Sequence, residues 1–325
     1  MKKWAMVLVL FASLVLHGLP IQAAGSGYAV IDAQTGRLLE GVNPHAQLPI
    51  ASLTKMWTAL VVIENSSDLQ EKVVISQQAV ASEGSSIYLE VGDEWTIEEL
   101  LYGLLLRSGN DAAYALAEHV GGSKEGFVHL MNEKALFYGL TNTNFDNPSG
   151  LHAETHLSSA YDTARMLQIA MKNPDFRRIA STKIYKGTVA WQNKHRLLHS
   201  DIGAVAGKTG YTKVAGRTLA TYFEREQKKF VVVTINEGND WNVHKSLAQK
   251  VDNGYEVVTL AKKGNYSLSG AKVKLNEPIS LLLKREEVKQ IQHVVHLSRN
   301  EASNTAIWHV FLQNRVIFSK RVERK

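Results

Sequence analysis

Pro49-Ile-Ala-Ser52-Leu-Thr-Lys55-Met-Trp57-Thr-Ala-Leu60-Val61 is the stretch on which the reading of this chain turns. Leu53, Met56, Trp57, Leu60 and Val61 recur at the spacing of one apolar helix face, so a helix runs through them with Pro49 just ahead. Ser52 then stands at the helix N-terminus and Lys55 one turn further in, on the same side. A serine hydroxyl is a weak nucleophile until a base takes its proton, and a neutral lysine amine one turn away is within reach to do so. Taken alone, the pair reads better as an N-cap and a solvated lysine.

Two further motifs change that balance. From Thr96 to Val120 two apolar helical segments are interrupted at Arg107-Ser108-Gly109-Asn110, which places Ser108 and Asn110 on a tight connection. Lys208-Thr209-Gly210 leads into Arg217 to Phe223, and Lys229 to Asn236 follows as a second β-forming run, giving two neighbouring antiparallel strands. Each short motif arises by chance in a chain of this length. All three in this order, the first opening a helix and the last leading a strand pattern, form a specific signal.

Ser52-x-x-Lys55, Ser108-x-Asn110 and Lys208-Thr-Gly-Tyr-Thr-x-x-Ala-Gly together resemble the D-alanyl-D-alanine carboxypeptidases, the low-molecular-mass penicillin-binding proteins of the S11 type. Asn147-Pro-Ser-Gly-Leu-His152 and Trp191-x-Asn193, followed by Leu197-Leu198, are similar to family segments between the second and third motifs. The resemblance covers roughly Gly27 to Gly264. It departs at Gly207, where the family usually has an aliphatic residue, and in a short connection from Leu198 to Lys208.

The resemblance implies an α/β (α+β) serine acyltransferase fold of the penicillin-binding/β-lactamase type, an antiparallel sheet flanked by helices. It implies Ser52 as acyl-ester nucleophile and Lys55 as general base, kept neutral by burial and by the charge of Lys208. Ser108 becomes the proton relay toward the leaving amine, and Asn110 orients Lys55 and holds the substrate's peptide carbonyl. Lys208 and Thr209 serve the substrate's terminal carboxylate, Gly210 lets the acyl chain lie along the strand, and Lys194 stands where the family can carry a basic residue near that carboxylate. The implied oxyanion hole is the backbone N–H of Ser52 and of Tyr211, worth about 3 kcal/mol per donor in such sites.

Composition frames this chemistry. Met1-Lys-Lys3, the apolar run Trp4 to Leu19 and the small residues through Ala24 read as a secretory signal peptide, the run being shorter than the roughly 20 residues a membrane span needs. The chain has no cysteine, which excludes disulfides, thiolate metal sites and a cysteine nucleophile. Export without disulfides points to a bacterial cell envelope. From Lys262 to Lys325 there are thirteen Lys/Arg against five Asp/Glu, a balance of +8 in a chain of net +6. That tail suits an anionic wall polymer or membrane surface as well as it suits plain solvation, and nothing in it reads as a nucleic-acid motif.

Two decoys fall away. Gly203-Ala-Val-Ala-Gly-Lys-Thr209 is one residue short of a phosphate-binding loop, and His152-Ala-Glu-Thr-His156 puts its acid at the wrong position for a zinc peptidase and sits in a loop. No metal and no cofactor are expected. The expected division is a signal peptide over 1–24, a catalytic domain over 25–263 closed by a helix from Asp240 to Leu260, a hinge at Gly264 to Gly270, and a small β-rich domain over 264–325. Lys272 to Leu275, Ile291 to Leu297, Ile307 to Leu312 and Val316 to Val322 alternate as its strands, the last two joined at Gln313-Asn314.

The expected function is removal of the terminal D-alanine from peptidoglycan stem peptides ending in D-Ala-D-Ala, with β-lactam antibiotics trapping the same serine. A DD-endopeptidase and a β-lactamase are the enzymatic alternatives, although no second carboxylate motif for fast deacylation is evident. A non-catalytic peptidoglycan-binding protein is the alternative of another class.

Overall fold

The computed structural model describes residues 25–268, 270–300 and 303–325. The expected signal peptide, 1–24, lies outside them. Among the described residues no helix is long and apolar enough to cross a membrane.

A five-stranded antiparallel sheet organises the larger unit. Its strands are β1 (Gly27–Asp32), β2 (Leu38–Val42), β3 (Ala204–Thr212), β4 (Gly216–Arg225) and β5 (Lys228–Ile235), in the order β2-β1-β5-β4-β3. Both faces are covered, which explains why β5 reads as the unbroken apolar run Phe230-Val-Val-Val rather than as an alternation. Val231 and Val233 face a helical lobe, and Phe230 and Val232 face the opposite layer with Leu247 and Val251.

The helical lobe contains α1 (Thr54–Asn65), α2 (Asn110–Gly121), α3 (Lys124–Phe137) and α4 (Ala160–Ala170), the last packed on β1 and β5. Helix α1 is its centre, buried on nearly every side from Thr54 to Ile63. Trp57 is fully buried, and its indole N–H donates to the Met131 carbonyl at 3.0 Å. The opposite face of the sheet is closed by α5 (Asp240–Gly254).

Three expectations need correcting here. Lys208-Thr-Gly210 does not precede the strands but lies inside one, β3, so three strands stand where two were read. Threonine and tyrosine around Gly210 make the segment strand-forming, and its pairing with β4 outweighs the turn character of the glycine. The helix expected to Leu260 stops at Gly254, because Tyr255 turns extended (φ −127°, ψ 144°) and the β-branched Val257-Val-Thr259 continue as β6 (Glu256–Ala261). The hinge expected at Gly264 to Gly270 is instead β7 (Gly264–Leu268), paired back on β8 (Ala271–Leu275).

The C-terminal unit is β-rich as expected. Strand β6 pairs with β9 (Ile279–Leu283), and β10 (Ile291–Leu297), β11 (Thr305–Leu312) and β12 (Arg315–Arg324) join β7 and β8 in a sheet of order β7-β8-β12-β11-β10. Gln313 and Asn314 both adopt left-handed φ (48° and 63°), as a two-residue hairpin between β11 and β12 requires. Trp308, Val273, Leu281 and Val310 form its core. Arg37 ties the two units with a two-pronged bond to Glu287 (2.8 and 3.1 Å) and a third to the Leu282 carbonyl.

Candidate active site

Ser52 lies in a short 3-10 turn, Ala51–Leu53, that leads into α1, and Lys55 is in the first turn of the helix. A chain of bonds holds this turn from below. The Asp146 backbone N–H donates to His156 Nδ1 (3.1 Å), so the ring proton is on Nε2, which donates to Thr54 Oγ1 (2.8 Å). Thr54 Oγ1 in turn donates to the Ala51 carbonyl at 2.8 Å. Both nitrogens of His156 are thereby occupied.

Lys55 is completely buried, and its amine has three partners: Ser52 Oγ at 3.0 Å, Asn110 Oδ1 at 2.6 Å and the Ser149 carbonyl at 2.5 Å. Two of these can only accept. A neutral amine has two N–H donors and one lone pair, so it satisfies Asn110 and Ser149 with its hydrogens and turns the lone pair to the Ser52 hydroxyl. Burial holds the amine well below the usual lysine range, and the charges of Lys208 and Lys194 add to the effect. The same geometry that orients the amine also disfavours its charge.

Ser108 caps a helix whose end widens into a π turn over Gly103–Arg107, and it takes a left-handed backbone (φ 69°). That conformation is costly for a residue with a Cβ and is found where function requires it. It brings Ser108 Oγ within 3.0 Å of Lys208 Nζ, which also donates to the Thr209 carbonyl at 2.8 Å. Asn110 opens α2, spans from Lys55 to the Glu83 carbonyl through its amide, and so fixes the second motif against the first. Asp111, buried beside it, accepts from Ser86 Oγ (2.5 Å) and from the backbone N–H groups of Ile87 and Leu89, holding the loop that carries Ser85.

Strand β3 forms the other wall as an edge strand, so alternate backbone N–H groups are left unpaired on its open side. A Cβ at Gly210 would lie 2.9 Å from the Ser52 nitrogen and 2.4 Å from Thr218 Oγ1, so only glycine lets the strand come this close to the serine. Gly207 has a second reason: its missing Cβ leaves room for the buried ring of His195, whose Nε2 would lie 2.6 Å away. The departure at Gly207 is therefore matched by a histidine seated behind the strand.

His195 belongs to a buried chain in which its Nε2 meets the Ala220 carbonyl (3.1 Å) and Thr221 Oγ1 (2.9 Å), and Thr221 meets His244 Nδ1 (2.8 Å). Burial lowers His195 and His156 to about 4. The unfolded chain binds these protons near 6.5, so the folded state keeps full stability above that pH and loses it as pH falls from 6.5 to 4. The loss is about 3 kcal/mol per histidine. Denaturant midpoints are expected to fall steeply over that window and less steeply in His195→Gln; equal slopes in the two proteins would contradict the assignment.

Ser52, Ser108, Thr209, Gly210, Tyr211 and Lys194 line one cavity of about 430 Å³. A larger cleft between the two units, near Glu40, Tyr255 and Lys284, has no serine–lysine pair. Lys208 is 2% exposed and does not line the cavity; burial and the Lys194 charge bring it down to about 7. Its amine bonds Ser108 Oγ and the Thr209 carbonyl, where the resemblance has it meeting the substrate carboxylate. The cavity cations are Lys194, Arg196 and Arg217, none of the arginines having been singled out by spacing. The carbonyl of Ser149 and the ring of His156 also join the site from motifs whose role the sequence left unassigned.

A model of the D-alanyl-D-alanine carboxypeptidase family matches residues 17–239, a span that includes Ser52, Lys55, Ser108, Asn110, Lys194 and Lys208. The chain belongs to that family. This carboxypeptidase, a serine-type hydrolase, is similar to D-alanyl-D-alanine carboxypeptidase DacF of Bacillus subtilis, with 32% identity over 297 residues, covering 83% of this chain and 76% of the relative. It is also similar to a D-alanyl-D-alanine endopeptidase of Pseudomonas aeruginosa, 32% identical over 230 residues, with 66% of this chain and 74% of the relative covered. Penicillin-binding protein 5 from Haemophilus influenzae shares the carboxypeptidase's fold, with a TM-score of 0.76 at 24% identity over 93% of this chain and 96% of the other.

Proposed function

We propose that the protein hydrolyses the bond between the last two D-alanines of peptidoglycan stem peptides through an acyl-enzyme on Ser52. The observation that carries the reading is the buried Lys55 amine 3.0 Å from Ser52 Oγ with its other two partners acceptors only. Lys55 takes the serine proton as Oγ attacks the scissile carbonyl, and the resulting oxyanion rests on the N–H groups of Ser52 and Tyr211. The C–N bond then breaks. Ser108, bonded to Lys208, relays the proton held by Lys55 to the departing D-alanine amine, which leaves Lys55 neutral, while Asn110 keeps Lys55 aimed and receives the substrate's peptide group. Water, activated by Lys55 returned to its neutral form, releases the shortened peptide. Thr209, Gly210 and Lys194 hold the substrate beside the strand, and Lys208 contributes through Ser108.

The same serine is the proposed target of β-lactam antibiotics. Among the described residues the only carboxylate lining the cavity is Asp240, and it is paired with Arg217. Hydrolysis of a bound penicillin therefore proceeds without a dedicated carboxylate base, which favours slow release over β-lactamase action. Labelling with a fluorescent penicillin, followed by mass spectrometry, is expected to place the adduct on Ser52, and a pentapeptide ending in D-Ala-D-Ala is expected to yield one equivalent of D-alanine. Absence of an adduct would return the protein to the non-catalytic binding class. Preferential cleavage of cross-linked dimers would make it an endopeptidase, the name its Pseudomonas relative carries.

Export to the bacterial cell envelope, with a signal peptide over 1–24 and a catalytic domain followed by a small β domain, completes the reading. The basic C-terminal unit is proposed to rest on anionic wall polymer or lipid through charge, an attraction screened over about 10 Å at 0.1 M salt. Retention on isolated walls is expected at low salt and to vanish in 1 M salt. Retention that survives 1 M salt would show that charge is not what holds it.

A further inference from the structure

Arg217 stands on β4 opposite Tyr211 of β3, on the wall of the cavity that contains Ser52 and Thr209. Its guanidinium is held along one edge only. Nε donates to Asp240 Oδ2 at 3.1 Å and Nη2 to Asp240 Oδ1 at 2.8 Å, and Asp240 is itself buried, with 2% exposure, in the first turn of α5. The Trp241 ring lies 6.0 Å from the guanidinium carbon, and Arg196 sits 5.9 Å from the same ring. The tryptophan and the aspartate together restrict where the arginine can point.

A guanidinium has five N–H donors arranged as two forks. Asp240 fills the Nε/Nη2 fork, and among the described residues only Asp240 bonds this side chain. The Nη1/Nη2 fork stays open on a side chain that is 44% exposed. An open fork of this kind matches a carboxylate in a bidentate, charge-assisted pair. Among the described residues the cavity carries three cations, Lys194, Arg196 and Arg217, against the single carboxylate of Asp240, so an anion entering it replaces water around an excess of positive charge.

We propose that Arg217, held in place by Asp240, is the residue that receives the free terminal carboxylate of the substrate and so sets the preference for a free acid at that end. The inference rests on the hydrolase reading above. It transfers to Arg217 the role that the Lys208 motif suggested, because Lys208 is buried behind Ser108 and already bonded there. Asp240 is a positioning residue: it touches Arg217 and not the substrate.

The test compares kcat/KM of the whole enzyme on an acylated Lys-D-Ala-D-Ala peptide and on the same peptide ending in D-alaninamide. In the unaltered enzyme the free acid is expected to be the better substrate. Arg217→Gln is expected to lose roughly 100-fold on the free acid, the value of a charge-assisted pair, and at most a few-fold on the amide. Arg217→Lys, which keeps the charge and loses the fork, falls between, and Asp240→Asn shrinks the preference. Unchanged circular dichroism and penicillin-reactive Ser52 in Arg217→Gln would show that the fold and nucleophile persist.

Equal losses on the two peptides would overturn the inference, as would a preserved free-acid preference in Arg217→Gln together with its disappearance in Lys194→Gln. If the unaltered enzyme releases D-alanine from neither peptide and Ser52 takes no penicillin, the hydrolase reading fails and the inference falls with it. If it cleaves the free acid and Arg217→Gln discriminates as well as the parent, the inference alone is overturned.

Discussion

Ser52→Ala is expected to abolish penicillin acylation and to lower D-alanine release by on the order of 10⁴-fold or more, since removing a nucleophile eliminates the whole covalent route. The fold should survive, because among the described residues Ser52 Oγ has one hydrogen bond, to Lys55 Nζ. Lys55→Ala is expected to be almost as damaging and not additive with the first, for the two groups act as one unit. It also leaves Asn110 Oδ1 and the Ser149 carbonyl without their buried donor, so some stability goes with the activity. Burst-phase labelling and thermal melts on the two single variants and the double variant separate these effects. Normal labelling of Ser52→Ala would sink the assignment.

Lys208→Met is the second large effect, and its stability part depends on pH in a way that its activity part does not. The amine is held at about 7 chiefly by burial, with Lys194 adding to the effect. A base whose folded pKa is depressed weighs on the folded state at full strength below that pKa, and the burden fades as pH rises toward the unfolded value near 10.5. Below pH 7 this amounts to about 5 kcal/mol, against which the lost bonds to Ser108 and Thr209 count for about 1–3 kcal/mol each.

The variant is therefore expected to compare better with the parent at pH 6 than at pH 10.5 by about 5 kcal/mol, the difference fading from pH 7 upward, while acylation falls sharply. Lys55 should also regain protons once the neighbouring charge is gone, moving the acid limb of kcat/KM to higher pH. A stability difference independent of pH would mean that Lys208 does not titrate in this range.

Much of the site was readable because it is built from local patterns. The apolar face of α1, the turn at Ser108-Gly-Asn110 and the hairpin at Gln313-Asn314 each depend on residues within a few positions of one another. The errors lie where pairing partners are distant. Strands β6 and β9 pair Glu256 with Leu283, and a helical continuation through Leu260 was an equally good local reading until that partner is known. The segment from Gly264 looked like a hinge from its Gly, Ser and Asn content, yet five ladder positions with β8 make it a strand.

The residue types, their order and the helical periodicity placed Ser52 at a helix N-terminus with Lys55 one turn further in, and the resemblance that the three motifs carry pointed to serine acyl-transfer chemistry. Folding decided the rest, because charge, pKa and reach depend on burial and on partners far along the chain. Ser149 and His156 meet the first motif across 94 and 102 residues, and Lys208 meets Ser108 across 100. Only their packing lowers the pKa of one lysine, withdraws the other behind a serine, and leaves the open fork of Arg217 facing the cavity. A local pattern specifies which groups are present, and the dielectric and geometry that give them function exist only once distant segments exclude water from between them.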